Sequence, residues 1–172
     1  MKNIYLILIF NCCFLTLWAQ KEQKILMHGF QFGINVYKYS AASIGYGYFY
    51  QLGNGKHMQI LHKSTISTEV QLGKPLLYAP KISHSFMLVT GSMGIVLGAE
   101  YIYYTDLEKH NQVIRSQLGY VLPRYTIELL YGYNITIDNK SPQLKYNTHN
   151  ISLIFWPFKD TRKKANCNCD TN

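Results

Sequence analysis

Arg124 to Asn134 reads RYTIELLYGYN, and its side chains fall into two sets. Tyr125, Ile127, Leu129, Tyr131 and Tyr133 occupy one set of alternate positions. Thr126, Glu128, Leu130, Gly132 and Asn134 occupy the other. Successive residues of a strand point to opposite faces, so this period of two specifies a strand with one apolar face and one mostly polar or tiny face.

The same reading extends along the chain. Phe30, Phe32, Ile34 and Val36 alternate with Gln31, Gly33 and Asn35; Ile44, Tyr46, Tyr48 and Tyr50 oppose Gly45 and Gly47. In His57–Leu72, Met58, Ile60, Ile66, Val70 and Leu72 oppose Gln59, Lys63, Thr65, Ser67, Glu69 and Gln71. Val113–Leu122 and His149–Trp156 follow suit. Ile82–Ala99 carries no Asp, Glu, Lys or Arg and contains a Gly94-xxx-Gly98 spacing, so a transmembrane helix competes there. His84, the serines and the glycines dilute its hydrophobicity, Thr90-Gly91-Ser92 reads as a turn, and alternation continues through Tyr101 and Tyr103. Two strands fit better than one helix.

Eight strands follow, at 28–37, 43–52, 57–72, 82–90, 93–104, 112–122, 124–134 and 147–156. Gly53-Asn54-Gly55, Thr90-Gly91-Ser92 and Pro123 make short connections, and Asn-Gly is a strong hairpin signal. Gly73–Lys81, Thr105–Asn111 and Ile135–Asn147 make longer polar ones. That rhythm, with an even number of strands, predicts an all-β fold: an eight-stranded antiparallel up-and-down transmembrane β-barrel. Tyr46, Tyr50, Tyr103 and Tyr133 are expected near strand ends, as an interfacial girdle. Periodicity alone does not say which face lines the interior, and a soluble periplasmic lipocalin-like ligand-binding barrel is the alternative. So many tyrosines and phenylalanines hardly fit inside eight strands, which favours the apolar face outside.

The composition agrees. Of 172 residues, 48% are hydrophobic, 15% aromatic and only 15% charged, with 12 Gly, 5 Pro and a net charge of +8. Collagen-like and disordered classes do not fit. At the start, MKNIYLILIFNCCFLTLWAQ supplies Lys2, an apolar stretch from Ile4 to Trp18 and a cleavage site after Ala19, the outline of a secretory signal peptide at residues 1–19. The barrel domain then covers 20–158, and 159–172 form a basic tail holding Cys167 and Cys169. Two cysteines so close would close almost no loop, so they staple nothing.

Leu17-Trp-Ala-Gln20, Gly98-Ala-Glu-Tyr-Ile-Tyr-Tyr-Thr-Asp106, Leu130-Tyr-Gly-Tyr-Asn-Ile135 and Asn147-Thr-His-Asn-Ile-Ser-Leu153 resemble segments of the small outer-membrane β-barrel proteins of Bacteroidota. The resemblance implies an outer-membrane location, reached through the barrel assembly machinery by a terminal aromatic signal that Phe155, Trp156 or Phe158 would supply. The departure is the tail beyond that signal.

With the apolar face toward lipid, Lys63, Glu69, Glu100, Arg115 and Glu128 point into the lumen. Buried charges must pair or stay hydrated, so these five are expected to form ion pairs. Glu100 and Arg115 lie on adjacent strands, and Arg115 also neighbours the strand of Glu128. A gated ion path and a structural plug are the two readings, and a packed eight-stranded lumen favours the plug. Small barrels that modify lipid A use His, Ser and an acid. Here only Ser83-His84-Ser85 and His149 with Ser152 offer such groups, without a matching motif, so no enzyme activity is expected. No cofactor or metal motif appears, and no nucleic-acid motif accompanies the spread-out bases. Lys81, Lys109, Lys140 and Lys145 are expected in outer loops facing anionic lipopolysaccharide.

Overall fold

The computed structural model describes residues 24–36, 38–54, 59–73, 76–90, 93–122, 126–138, 141, 144–157 and 159–160. The proposed signal peptide, both tail cysteines, Lys140 and Phe158 lie outside them. Eight strands follow one another around a closed wall: β1 (Lys24–Val36), β2 (Ala41–Asn54), β3 (Gln59–Gln71), β4 (Leu77–Thr90), β5 (Met93–Thr105), β6 (His110–Val121), β7 (Ile127–Asp138) and β8 (His149–Phe155). Every neighbouring pair is antiparallel, and β8 returns to β1. A short β9 (Lys159–Asp160) extends the same seam, pairing with Met27 and His28. The first two residues of the expected tail therefore belong to the wall.

Closure requires the strands to tilt and the register to stagger. From Ile25, partners step through Tyr50, His62, Phe86, Leu97, Leu118, Tyr131 and Ile151, and re-enter β1 at Val36. One circuit thus ends far along the strand on which it began. One rim carries the β2–β3, β4–β5 and β6–β7 connections together with the start of β1 and the end of β8; it is called the short-turn rim below.

The opposite rim departs from expectation. β2, β4, β5, β6 and β7 run further there than the alternation suggested, leaving residues 37–40, 72–76 and 106–109 between the strands. Only the β7–β8 connection, 139–148, stays long. β4 shows why. Pro80 reads as a loop residue because it cannot donate to a ladder. In the structure it pairs in register with Thr68 on β3, while the ladder to β5 steps from Tyr78–Thr105 to Lys81–Ile102. The strand tolerates Pro80 by interrupting one of its two ladders. The β5–β6 turn is tight: Leu107 adopts φ 80, and Asp106 Oδ1 accepts the backbone N–H groups of Glu108 (3.1 Å) and Lys109 (2.7 Å). Those bonds hold the Asp106 carboxyl below the usual carboxylate range, Lys109 contributing most.

The wall has polar side chains inside and apolar ones outside. Phe30, Ile66 and Ile82 are 59%, 69% and 60% exposed, and Phe32, Ile44, Leu97, Leu118, Leu129, Ile151 and Leu153 are likewise exposed. Gln31, Asn35, Thr65, Ser67, Ser83, Ser85, Gln117 and Ser152, on the opposite parity, are buried. Of the expected girdle, Tyr46, Tyr50, Tyr103 and Tyr133 all take outward parity. Tyr46 and Tyr133, however, sit well inside β2 and β7, Tyr46 in register with Phe30 and Ile66 and Tyr133 with Ser116 and His149.

Candidate functional site

Inside this wall the side chains form successive layers. Nearest the short-turn rim, Met27, Phe49, Leu61, Met87, Val89, Val96, Val121, Leu130, Ile154 and Trp156 pack into an apolar cluster. Trp156 stands edge-on to Phe49, with ring centroids 5.1 Å apart. Gly47 makes room for it: a Cβ there would come within 2.8 Å of the indole Cη2 and 2.6 Å of Thr65 Cγ2.

Lys63 and Glu128 form an ion pair against this cluster, with the ammonium 5.4 Å from the centre of the Trp156 ring. β3 and β7 are not neighbours in the wall, so the pair spans the lumen. Both residues are buried, Glu128 completely. Glu128 Oε1 finds no protein partner among the described residues.

A second group lies toward the other rim. Arg115 Nη1 donates to Glu69 Oε2 at 3.2 Å and to Glu100 Oε2 at 3.1 Å; Nε donates to Asn134 Oδ1 at 2.8 Å, and Nη2 to the Tyr104 hydroxyl at 2.6 Å. Lys81 Nζ adds Glu69 Oε2 at 3.1 Å and Glu100 Oε1 at 3.6 Å. Asn35 donates to Glu69 Oε2 at 2.6 Å. Two carboxylates thus face two cations, and amide and hydroxyl groups take up further hydrogen-bonding capacity. That is the condition under which buried charges are tolerated.

A second apolar layer covers the charges. Leu77, Ala79, Ile102, Tyr104, Val113 and Leu144 cluster there, and Tyr146 stacks on Tyr104 at 4.8 Å. Leu144 and Tyr146 come from the β7–β8 connection, which folds across the mouth. Asn147 fastens it by accepting from Tyr39 N (3.0 Å) and donating to Tyr39 O (2.7 Å). Gln71 Nε2 donates to Lys145 O (2.8 Å), and Asn111 and Ser141 exchange two further bonds. Apolar layers therefore lie on both sides of the charges.

All five expected lumen residues face inward and are buried. They divide into two groups. Arg115 pairs with Glu100 as expected and also with Glu69, but Glu128 pairs with Lys63 and not with Arg115. Lys81 is a correction. Expected in an outer loop, it is 4% exposed inside the barrel, because β4 begins before it and its parity matches Ser83 and Ser85. Asn35 and Asn134 lay on the polar parity of the sequence and could have been included. Tyr104 shares the inward parity of Glu100 and could have been placed in the lumen too.

The lipid-modifying candidates are corrected by parity. Ser83 and Ser85 point inward while His84 points outward, so the wall separates them. The same holds for His149, whose Nδ1 lies 2.6 Å from the Tyr131 hydroxyl, and inward Ser152. The partners of His84 are on β3: Ser64 Oγ lies 2.9 Å from its Nδ1, and His62 Nδ1 lies 3.1 Å from its Nε2. Among the described residues, no three His, Cys, Asp or Glu side chains gather as metal ligands would. No protein-family model, curated protein or solved structure matches the chain.

Proposed function

We propose that the chain is an outer-membrane β-barrel with its apolar wall against lipid and its lumen closed, serving a structural or interaction role and not an open pore. The observation that carries this reading is the orientation of the wall: every one of the eight strands presents large apolar side chains outward, and all but β2 bury charged or amide side chains inward. In water, so continuous an exposed apolar surface would drive association. In hydrocarbon it is the favourable arrangement, with the closed wall leaving no strand edge. Partners on this reading are outer-membrane lipid, lipopolysaccharide at the loops holding Lys109 and Lys145, and the barrel assembly machinery. Phe155, outward and about half exposed, supports the assembly signal; Trp156 faces inward and is occupied in the lumen.

Cell fractionation tests the reading. The protein is expected in the outer-membrane fraction, with heat-modifiable migration on a gel and an amino terminus at Gln20. Recovery in the soluble periplasmic fraction would overturn it and favour a lipocalin-like ligand binder. Planar bilayers are expected to stay silent, since both sides of the ion-pair cluster are covered; steady conductance would replace the closed barrel with a pore.

A further inference from the structure

We infer that Asn134 and Tyr104 latch the β7–β8 connection to Arg115, so that this cover and the charge cluster beneath it loosen together. The latch rests on side-chain geometry inside the barrel and does not depend on what surrounds the wall. Asn134 uses both ends of its amide. Oδ1 accepts Arg115 Nε at 2.8 Å, and Nδ2 donates to Asn147 O; its backbone N–H donates to Thr148 O at 2.8 Å. Tyr104 likewise faces two ways. Its hydroxyl accepts Arg115 Nη2 at 2.6 Å and donates to Glu69 Oε1 at 3.4 Å, while its ring lies within 5° of parallel to that of Tyr146. The Tyr146 hydroxyl in turn lies 2.5 Å from Thr136 Oγ1. Two of the four acceptors of Arg115 therefore belong to side chains that also hold the cover. The other ion pair provides the contrast: Lys63 and Glu128 bond to each other and sit against Trp156, in the apolar layer on the far side of the charges.

Breaking the latch at one end weakens it at the other. When the cover lifts, Asn134 Nδ2 loses Asn147 O and the Tyr104 ring loses its stack, so neither side chain is pinned where Arg115 needs it. When the guanidinium shifts, Asn134 Oδ1 and the Tyr104 hydroxyl lose a charged donor in a buried place. Each such loss is large enough to change an equilibrium about tenfold. The coupling is reciprocal: what the cover gains from the cluster, the cluster gains from the cover. Arg115 stays in the lumen throughout, because Glu69 and Glu100 still accept from Nη1. The latch thus passes a change at the loop rim into the lumen without opening a pore. Its outer end is Asn147, which exchanges two bonds with Tyr39, so movement of the β1–β2 connection reaches Arg115 through it.

Thiol labelling of the whole chain, folded in detergent with its native cysteines replaced by Ser, tests the latch. Leu144→Cys puts a thiol on the inner side of the cover, at a position 4% exposed, where a charged maleimide reaches it only when the cover lifts. With labelling slower than reclosing, the rate follows the lifted population. Arg115→Lys and Asn134→Ala should each raise it about tenfold, and the two together little more than either alone, since both cut one link. Tyr104→Phe removes the hydroxyl and keeps the stack; it should raise the rate about threefold and serves where Arg115→Lys fails to fold. Lys63→Met with Glu128→Leu should leave the rate within about twofold of the parent. In the reverse direction, Asn147→Ala should hasten solvent exchange of the Arg115 Nε proton, read by NMR, about tenfold. Unchanged labelling in Arg115→Lys, Asn134→Ala and Tyr104→Phe proteins that keep the parent's circular dichroism overturns the latch. Equal acceleration by the Lys63 and Glu128 double variant overturns it too, because the effect would then be one of overall stability. Both readouts are taken in detergent, so recovery of the protein from the periplasm would overturn the membrane reading alone.

Discussion

Arg115 donates to four side chains at once, from three other strands. A planar guanidinium can do this because its donors point in fixed directions, whereas a lysine ammonium at the same place would reach fewer partners. The geometry depends on Gly132, where a Cβ would meet Asn150 Oδ1 at 2.1 Å and Arg115 Cδ at 2.9 Å. The Lys63–Glu128 pair gives the simplest energetic test. Lys63→Met leaves a buried carboxylate without its cation and should cost about 3–5 kcal/mol, whereas Lys63→Met with Glu128→Leu should recover most of that. Urea unfolding of the four proteins of the cycle, refolded into the same vesicles, measures it. At the β5–β6 turn the effect should be opposite in sign. Leu107 is 81% exposed and held at φ 80, a conformation that costs a β-carbon residue about 1–2 kcal/mol. Leu107→Gly relieves that strain with no packing lost, and the unfolding midpoint should rise.

At the level of elements, what the sequence discloses is limited by what alternation can carry. The eight strands are legible because each holds several consecutive alternate pairs; parity puts Lys63, Glu69, Glu100, Arg115 and Glu128 on the face opposite the large aromatics, and the bulk of those aromatics, too great for an eight-stranded lumen, turns that face inward. Strand ends are less legible. Alternation through Leu77, Ala79 and Lys81 is interrupted to the eye by Pro80, so β4 reads as starting later and Lys81 as a loop residue. Pairing across the lumen is not legible at all: β3 and β7 meet through Lys63 and Glu128 only because the wall closes, and no local pattern encodes closure. Nor does a polar loop announce that Leu144 and Tyr146 fold inward. That loop carries its own prediction. Replacing residues 139–147 by a two-residue Asn-Gly turn removes the outer cover, yet Arg115, Lys81, Glu69 and Glu100 still fill the lumen below it. Planar-bilayer recordings of this variant should remain silent; open-channel currents would mean that the loop, and not the ion pairs, closes the barrel.

For the whole molecule, the decisive property is the direction in which its two faces point, and that direction makes membrane and soluble barrels respond oppositely to one substitution. Ile66 lies near the middle of β3, outward and 69% exposed, in register with Tyr46 and Ile82. On a soluble barrel an exposed isoleucine is a site where arginine changes stability by no more than about 0.5 kcal/mol. On a lipid-facing wall the same arginine must leave water for the hydrocarbon, at about 2–4 kcal/mol near the midplane. Ile66→Arg should therefore lower the unfolding free energy by that larger amount in phospholipid vesicles. The cost should shrink for Leu72→Arg, which lies beyond the end of β3. The comparison is internal, because both positions are exposed and both substitutions add the same side chain. A depth-dependent penalty is what hydrocarbon imposes and water does not, so equal, near-zero effects at the two positions would argue for a barrel that lives in solution.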